Sequence, residues 1–383
     1  MEKERKNAGH QDTGLLFLVL LLLICGLVFL YSTSAYNGRV KFHDSAYYFK
    51  KQLFATSLGL MGMYLVSCMD YHILVRFAPF FYLVSLVLSL AVLLFGDEYN
   101  GSKRWLSIGP LSFQPSEFAK VAVILLLTHV IIRSAEQKQG ILHMAGTMML
   151  LLPIVGLVGT NNLSTAIIIL GIGVILIFVS NPRYLPFLGI GAVGVVFIGI
   201  FLGMASYRLE RLAIWRNPEA YEKGFQTIQG LYAIGSGGIF GRGLGSSLQK
   251  LGFVPEAQND MIFSIICEET GLVGACLLIL LFGLLIWRLM VISHTAPRAP
   301  TTGKNSLLII VIATHARDLS GALIAAGIMG HMAIQVILNI AVVTNTIPNT
   351  GITLPFVSYG GTSVLFLLGE MGIALSVSRY EEP

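Results

Sequence analysis

The sequence predicts an all-α integral membrane protein with ten membrane-spanning helices, one large extracellular loop and a re-entrant outer loop. Hydrophobic residues make up 55% of the 383 residues and charged residues only 12%, with a mean hydropathy of +0.77. Soluble domains carry about 25% charged residues, so this composition excludes a soluble protein. Several apolar runs also reach the roughly 20 residues that a helix needs to cross about 30 Å of hydrocarbon.

Ten apolar segments fit the length of a membrane span. Their predicted bounds are 15–32, 51–69, 78–95, 117–133, 141–159, 163–180, 184–204, 261–287, 318–343 and 358–378. An even number of spans places both termini on one side of the membrane. Lysine and arginine occur in the N-terminal tail and after each even-numbered span, and loops rich in these residues stay in the cytoplasm. Both termini are therefore predicted to be cytoplasmic.

The chain is predicted to form a single polytopic membrane domain over residues 1–383. A charged cytoplasmic tail at 1–14 precedes the first span, which we expect to be retained because no convincing cleavage site follows it. The large extracellular loop is expected at 205–260 and a cytoplasmic loop at 288–317. The extracellular segments are also basic, which indicates an anionic partner on the outer face. Anionic lipid headgroups are the alternative explanation.

The cysteine and glycine patterns exclude several kinds of site. The four cysteines lie inside apolar segments without a CxxC pair, so neither a disulfide framework nor a metal site is predicted. The glycine-dense segment at 224–252 lacks the GxxxxGK[ST] signature, so a nucleotide-binding loop is not expected. Its glycines predict irregular backbone, either as a tightly turned loop or close to a ligand.

The second outer loop, NGSKRWLSIGPLSFQPSEFAK, combines basic residues with the start of a helix. Arg104 lies beside a tryptophan, and Pro115, Ser116 and Glu117 suit the first turn of the helix that forms the fourth span. Glu117 in the first turn complements the positive end of the helix. Lys120 is costly inside a span unless it is paired or faces a polar cavity. A local Glu117–Lys120 pair that reaches the interface is the structural alternative to a site.

In the stretch VPEAQNDMIFSIICEETGLVG, three of the four acids, namely Asp260, Glu268 and Glu269, lie around the start of the eighth span. Asp260 lies where the large loop ends, so it is either the N-cap of the helix or a partly desolvated carboxylate that is accessible from outside. The second environment favours a general base. Glu268 and Glu269 lie about two turns deeper, where an acid is either functional or a polar tie between helices. The residues alone leave these alternatives open.

The last outer segment, NTIPNTGITLPFVSYGGTS, is expected to be a re-entrant or capping loop over the outer mouth. Two prolines and three glycines make it too irregular to cross lipid. In the preceding span, Gln335 and Asn339 lie four residues apart on one face. That spacing suits hydrogen bonds to neighbouring helices.

Four segments together resemble the SEDS family, the bacterial shape, elongation, division and sporulation proteins typified by RodA, FtsW and SpoVE. The segments are KRWLSIGPLSFQPSEFAK, QGLYAIGSGGIFGRGLG, VPEAQNDMIFSIICEETGLVG and NTGITLPFVSYGGTS. The similarity runs in order from the first span to Arg379. Within the family, GSGGIFGRGLGSSLQKLGFVPEA and Thr353 favour the FtsW and SpoVE branch over the RodA branch.

The resemblance implies a peptidoglycan glycosyltransferase that polymerises lipid II on the outer face of the bacterial cytoplasmic membrane, in cell division, shape or sporulation. It implies that Asp260 is the essential catalytic acid. The expected substrate-binding residues are Lys120, Arg104, Glu117, Gln114, Arg211 and Ser358. No residue is assigned as a metal ligand.

The residue types fit the chemistry of polymerisation. The acceptor hydroxyl needs a base, which Asp260 can supply, and the departing undecaprenyl pyrophosphate needs cations such as Lys120, Arg104 or Arg211. The sequence leaves open whether a divalent cation, Mg²⁺ or Mn²⁺, assists the pyrophosphate.

The resemblance also implies partners. These are lipid II as substrate, a class B penicillin-binding protein as the transpeptidase, and membrane proteins of the divisome or elongasome. A separate transpeptidase is expected because the chain contains no SxxK, SxN and KTG set of its own. No nucleic acid is expected.

Two other functions compete with polymerisation. A lipid II flippase would need charged residues at mid-depth in several spans, whereas Lys120, Asp260 and Glu268 are expected towards the outer half. A catalytically idle scaffold for a class B penicillin-binding protein would fit a chain that lacks the aspartate, which this chain has. Gln258 and Asn259 stand where many members of the family have His and Thr, which affects substrate preference more than catalysis.

Overall fold

Twelve α-helices and three short strands form the part of the chain that the computed structural model describes. That part comprises residues 11–99, 102–108, 111–136, 146–180, 206–295 and 318–379, with isolated helical positions at 194, 196 and 199. The helices are α1 Thr13–Phe42, α2 Tyr47–Cys68, α3 Tyr71–Arg76, α4 Ala78–Phe95, α5 Pro115–Glu136, α6 Leu152–Asn161, α7 Leu163–Ser180, α8 Ser206–Arg216, α9 Phe225–Ser236, α10 Ile262–Thr295, α11 Leu319–Val343 and α12 Gly361–Ser378. The strands are β1 Asp97–Tyr99, β2 Ser102–Ile108 and β3 Leu111–Phe113.

Seven of the described helices are long and apolar enough to cross a membrane, namely α1, α4, α5, α7, α10, α11 and α12. Together with α2 and the shorter apolar helix Gly146–Asn161, they overlap nine of the ten predicted spans. The remaining predicted span, 184–204, lies outside the described residues apart from the three isolated positions. Residues 1–10 of the predicted tail and 296–317 of the predicted cytoplasmic loop also lie outside them.

The structure differs from the predicted loops in three places. The second outer loop contains an antiparallel sheet in the order β1-β2-β3, which adds strands to the helical fold. The large loop at 205–260 contains the helices α8 and α9. Helix α10 continues to Thr295, past the predicted boundary at 288, because residues 289–293 are apolar or small and contain no helix breaker.

Capping side chains fix the ends of the long helices. The Asp12 carboxylate accepts a hydrogen bond from the amide of Leu15, 2.8 Å away, at the start of α1. Asp318 caps the start of α11 in the same way, and Pro115 is the first residue of α5, where its missing N–H costs no helical bond. These residues therefore start the helices where the apolar runs begin.

One end of the bundle, here named the loop face, gathers the polar segments that carry the predicted site. It consists of the three strands at 97–113, the segment 206–261 and the segment 344–360 between α11 and α12. The segment 344–360 has no regular structure, yet Leu354, Phe356 and Val357 in it are buried. It packs closely on α1, because a Cβ at Gly26 would lie 2.4 Å from the carbonyl oxygen of Phe356. The part of this segment from Ile352 to Ser358 is therefore largely buried in the protein.

Helix α10 is broken at Gly271. This residue has φ of 66° and ψ of −165°, a combination that is adopted almost only by glycine. A Cβ there would lie 2.3 Å from the amide nitrogen of Gly241 and 2.5 Å from the carbonyl oxygen of Ile239. Backbone from the large loop thus packs directly into the break.

We expect Gly271→Ala to lower the free energy of unfolding by about 2–4 kcal/mol, from backbone strain and collision with the neighbouring backbone. Gly283→Ala in the same helix is the matched control, because a Cβ at that position meets nothing within 4 Å. The control is expected to stabilise the helix by roughly 0.5–1 kcal/mol. Thermal unfolding of the detergent-solubilised protein measures both changes, and equal midpoints for the two variants would contradict the expectation.

Candidate active site

Asp260 and Arg104 meet at the loop face beside Gly351. Asp260 lies directly before α10, and Arg104 lies on β2. A Cβ at Gly351 would lie 4.0 Å from Oδ2 of Asp260 and 3.6 Å from Nη1 of Arg104. Gly351 has φ of 70°, a conformation in which side chains are strained. The carboxylate and the guanidinium therefore border one small space that the glycine leaves open.

The surroundings of Asp260 raise the pKa of its carboxyl group to about 6. Burial is the largest cause, because it penalises the charged form. A hydrogen bond to the backbone of Asp260 itself lowers the pKa, the Glu256 carboxylate raises it, and Arg211 and Arg104 lower it. An ordinary aspartate has a pKa of about 3.9. Asp260 is therefore a stronger base than most aspartates while still being ionised at neutral pH.

A buried asparagine fixes the backbone on both sides of this space. The side-chain amide of Asn339, on α11, donates to the carbonyl of Asp260 at 2.9 Å and to the carbonyl of Ile352 at 2.7 Å. It thereby joins the start of α10 to the residue that follows Gly351. We expected Asn339 to bond between helices, and its contact with the Asp260 backbone was not evident from the sequence.

A second arginine reaches the site from α8. Arg211 donates from Nη1 to the carbonyl of Asn349 at 3.2 Å, and Trp215 donates from Nε1 to the carbonyl of Asn345 at 3.0 Å. Both contacts hold α8 against the segment 344–360. Because Arg211 also acts electrostatically on Asp260, the site has two cationic side chains near one carboxylate.

Lys120 belongs to a buried polar network between helices α5, α11 and α12. Its Nζ lies 2.9 Å from Oε1 of Glu117 and 3.2 Å from Oε1 of Gln335. Nε2 of His331 lies 2.8 Å from the same Gln335 oxygen, and its Nδ1 lies 2.8 Å from Glu370. The local Glu117–Lys120 pair therefore forms, but Lys120 is only 2% exposed and does not extend to the interface.

The ion pairs of the described residues join Lys120 to Glu117 and not to Asp260. The two amides of α11 connect these groups indirectly. Gln335 donates to the carbonyl of residue 353 at 3.1 Å, and Asn339 bonds the preceding carbonyl, at 352. Lys120 is thus linked through Gln335 to the segment 344–360, which borders the Asp260 site. This link lies one turn of α11 away from the contact made by Asn339.

Two further predicted substrate-binding residues bond within the protein. Gln114 is half-buried, and its Nε2 lies 3.1 Å from Oγ of Ser116. Ser358 is buried, and its hydroxyl accepts a hydrogen bond from the amide of Leu354 at 2.8 Å. The contacts of Ser358 shape the segment 344–360. A role of either residue in substrate binding stays a prediction.

Two residues next to the site have strained backbone. Glu256 has φ of 49° and Phe356 has φ of 62°, which costs about 1–2 kcal/mol for each side chain. Gln258 ties these segments together, because its carbonyl accepts from the amide of Tyr359 at 2.9 Å and its side chain accepts from Asn37 at 2.9 Å. Gln258 is therefore a structural tie in this chain.

Glu268 and Glu269 hold the glycine-dense segment against α10. Glu268 accepts from the hydroxyl of Ser247 and lies 3.3 Å from Nη1 of Arg242. Glu269 lies 2.6 Å from Nζ of Lys250. Of the two roles that the sequence left open for these acids, their contacts favour the polar tie.

The His331–Glu370 pair is absent from the sequence prediction, although a signal for it existed. Glu370 is a lone acid in the last predicted span, and an acid in a span normally has a partner or a function. His331 lies four residues before Gln335 on the same face of α11. No group of three or more His, Cys, Asp or Glu side chains that could hold a metal ion occurs among the described residues.

Known proteins are similar to this chain over nearly its whole length. The family described as "Cell cycle protein", whose model covers FtsW, RodA and SpoVE, matches residues 13–302 and 305–383. Stage V sporulation protein E of Bacillus subtilis is 38% identical, over 96% of this chain and 97% of the relative. A probable peptidoglycan glycosyltransferase FtsW of Trichlorobacter lovleyi is 34% identical, over 97% of this chain and 93% of the relative.

Solved structures share the fold. One comes from work on the structural coordination of polymerization and crosslinking by a peptidoglycan synthase complex. It has a TM-score of 0.75 and 30% identity, and the match covers 96% of this chain and 98% of the other. The rod shape determining protein RodA of Thermus thermophilus has a TM-score of 0.69 and 28% identity, over 97% and 98%. The predicted helical membrane fold and family are confirmed: this chain is an integral membrane protein of the FtsW, RodA and SpoVE family.

Proposed function

We propose that the protein is a peptidoglycan glycosyltransferase that joins lipid II units into glycan strands, with Asp260 as the general base. The observation that carries this proposal is the shared space beside Gly351, bordered by the Asp260 carboxylate and the Arg104 guanidinium. A base beside cations suits a reaction in which a hydroxyl loses a proton while a pyrophosphate leaves. Curated relatives at 31–34% identity carry the name peptidoglycan glycosyltransferase.

The reaction follows from these positions. Asp260 takes the proton from the acceptor hydroxyl as its oxygen attacks the anomeric carbon of the donor. The bond from that carbon to the pyrophosphate oxygen breaks, and undecaprenyl pyrophosphate departs. Arg104 and Arg211 stabilise the negative charge that grows on the departing oxygens, and Lys120, paired with Glu117, supports the segment beside the site through Gln335. A single displacement inverts the anomeric carbon and gives a β-linked glycan.

The same proposal orients the chain in the membrane. The loop face, including residues 205–260, lies outside the cytoplasmic membrane, where lipid II is consumed. The tail at 1–14 and the loop at 288–317 lie in the cytoplasm, in agreement with the basic residues at that end. The whole chain of 1–383 then acts as one polytopic domain.

A class B penicillin-binding protein is the proposed partner. The chain lacks the serine-nucleophile motifs of a transpeptidase. A similar solved chain belongs to a peptidoglycan synthase complex in which polymerization and crosslinking are coordinated. Further membrane proteins of the divisome or elongasome complete the proposed assembly.

The test of the function is reconstitution of the purified protein in vesicles with labelled lipid II, with and without a class B penicillin-binding protein. Labelled glycan strands in either sample support the polymerase. Movement of lipid II across the bilayer without polymer would instead identify a flippase. A protein that produces neither, and only stimulates crosslinking by its partner, would be a scaffold.

The raised pKa of Asp260 predicts the pH dependence of the reaction. The base must be deprotonated, so the rate should be level above a pH of about 6 and fall about tenfold for each pH unit below it. A base with an ordinary aspartate pKa of about 3.9 would keep the full rate down to about pH 5. Initial rates of glycan formation from purified lipid II measure the profile. A level profile down to about pH 5 would contradict a base with this raised pKa.

A further inference from the structure

Residues 237–253, here named the insert, expose apolar side chains although they belong to the predicted extracellular loop. Six large apolar residues are each 42–82% exposed, namely Ile239, Phe240, Leu244, Leu248, Leu251 and Phe253. A patch of this kind marks contact with a membrane or with another protein. The position of the insert along α10 decides between contact with the membrane and contact with another protein.

The insert pairs with α10 well inside the helix. The amides of residues 242–243 donate to the carbonyls of 268–269 at 3.0 and 2.9 Å, and the amides of 272–273 donate to the carbonyls of 238–239 at 2.9 and 3.1 Å. In an unbroken helix the amides of 272–273 would donate to the carbonyls of 268–269. The break at Gly271 frees these four groups to bond the insert. The pairing lies about 14 Å from the start of α10 at 1.5 Å per residue, and therefore within the apolar candidate span Ile262–Thr295.

Several backbone and side-chain groups of the insert are paired within the protein, which lowers the cost of a lipid environment, while Oε1 of Gln249 is buried without a hydrogen-bond partner. The amides of residues 248–249 donate to the Glu268 carboxylate at 3.1 and 3.3 Å. The insert has two charged residues. Arg242 lies 3.3 Å from Glu268, and Lys250 lies 2.6 Å from Glu269. Two acids beneath the insert thus neutralise its two cations and bind its backbone.

The outer surface of the insert continues the outward surfaces of the neighbouring helices. Residues 262–269 of α10 are buried, and Leu272 and Val273, just beyond the pairing, are 61% and 44% exposed. The insert also contacts the neighbouring helix α1, because a Cβ at Gly252 would lie 3.4 Å from the ring of Tyr36. The insert therefore replaces the first turns of α10 as the outward apolar surface between α1 and α10.

We propose that the insert enters the membrane leaflet on the loop-face side and that its six apolar side chains contact lipid acyl chains. Glycines are interspersed among these side chains, and the backbone is irregular. The six side chains therefore form no regular ridges against which a partner helix could pack. Acyl chains need no such ridges. The proposal is independent of the role of Asp260, because it rests only on the pairing, charges and exposure of the insert.

Quenching of tryptophan fluorescence tests the proposal in the full chain. Trp105, Trp215 and Trp287 are replaced by phenylalanine, so that Phe240→Trp supplies the only tryptophan, which is excited selectively over the tyrosines. The protein is placed in phosphatidylcholine vesicles with or without bromine on the acyl chains, and iodide is added to the water. Leu277→Trp on the outward side of α10 is the lipid-facing reference, since Leu277 is 57% exposed. Tyr221→Trp, 41% exposed between two turns of the loop face, is the water-facing reference.

We expect brominated lipid to lower the emission of the Phe240→Trp protein as far as that of the Leu277→Trp protein, with little effect of iodide. Quenching by iodide, as expected for Tyr221→Trp, would place the insert in water and overturn the proposal. Protection from both quenchers would mean that protein covers the insert, which also overturns it. If Phe240→Trp does not give a monodisperse protein, Leu244→Trp is measured in its place.

Discussion

Asp260→Asn is expected to slow glycan formation from lipid II by about 10²–10⁴-fold, the usual contribution of a general base. Asparagine has nearly the same shape but accepts no proton at neutral pH. The hydrogen bond that Asn339 makes to the backbone carbonyl of Asp260 is unaffected, so the fold should be retained. Labelled strands from purified lipid II measure the rate, and the thermal midpoint checks the fold.

Asp44→Asn is the matched control for this substitution. Asp44 lies between α1 and α2, outside the helices, and its carboxylate bonds the exposed Lys50 at 2.8 Å. Its rate should stay close to that of the unchanged protein. A folded Asp260→Asn protein that polymerises at a rate near wild type, while Arg104→Ala does not, would exclude Asp260 as the base.

Lys120→Met is expected to destabilise the protein by about 3–5 kcal/mol, because it leaves the Glu117 carboxylate buried without its cation. Glu117→Gln combined with Lys120→Met removes both charges and should restore much of the stability. Lys50→Met, which removes an exposed ion pair with Asp44, should have little effect on stability because solvent screens the pair. Thermal unfolding in detergent compares the three proteins.

The double variant also separates two roles of Lys120. If the lysine stabilises the departing pyrophosphate, the double variant regains stability but not the rate of glycan formation. If the double variant regains both its stability and its rate of glycan formation, Lys120 serves only to neutralise Glu117. Its assignment to substrate binding is then wrong.

The helices could be predicted because each apolar run has the length that a bilayer requires. Short strands could not, since β1 and β3 have three residues each, too few to show an alternating pattern. The break at Gly271 was also hidden, because a lone glycine within an apolar run gives no sign of the backbone that will pack against it.

The sequence predicted the residues of the candidate site, but it did not predict how they are arranged in space. Asp260 and Arg104 were identified from motifs, whereas their meeting beside Gly351 depends on how separate segments pack. Lys120 was expected either in a substrate site or in a local pair with Glu117, and the structure contains the pair. Whether a buried lysine also faces a substrate is decided by tertiary distances that spacing along the chain does not contain.

The wide separation of the site residues along the chain has a consequence for biosynthesis. Arg104, Arg211 and Asp260 each contact the part of the chain that follows them, at Gly351, Asn349 and Asn339 respectively. A nascent chain that has inserted α1 to α10 already contains Asp260 and both arginines but lacks these contacts. We therefore expect the site to be complete only after α11 and the segment 344–360 have been synthesised, so incomplete chains should not consume lipid II.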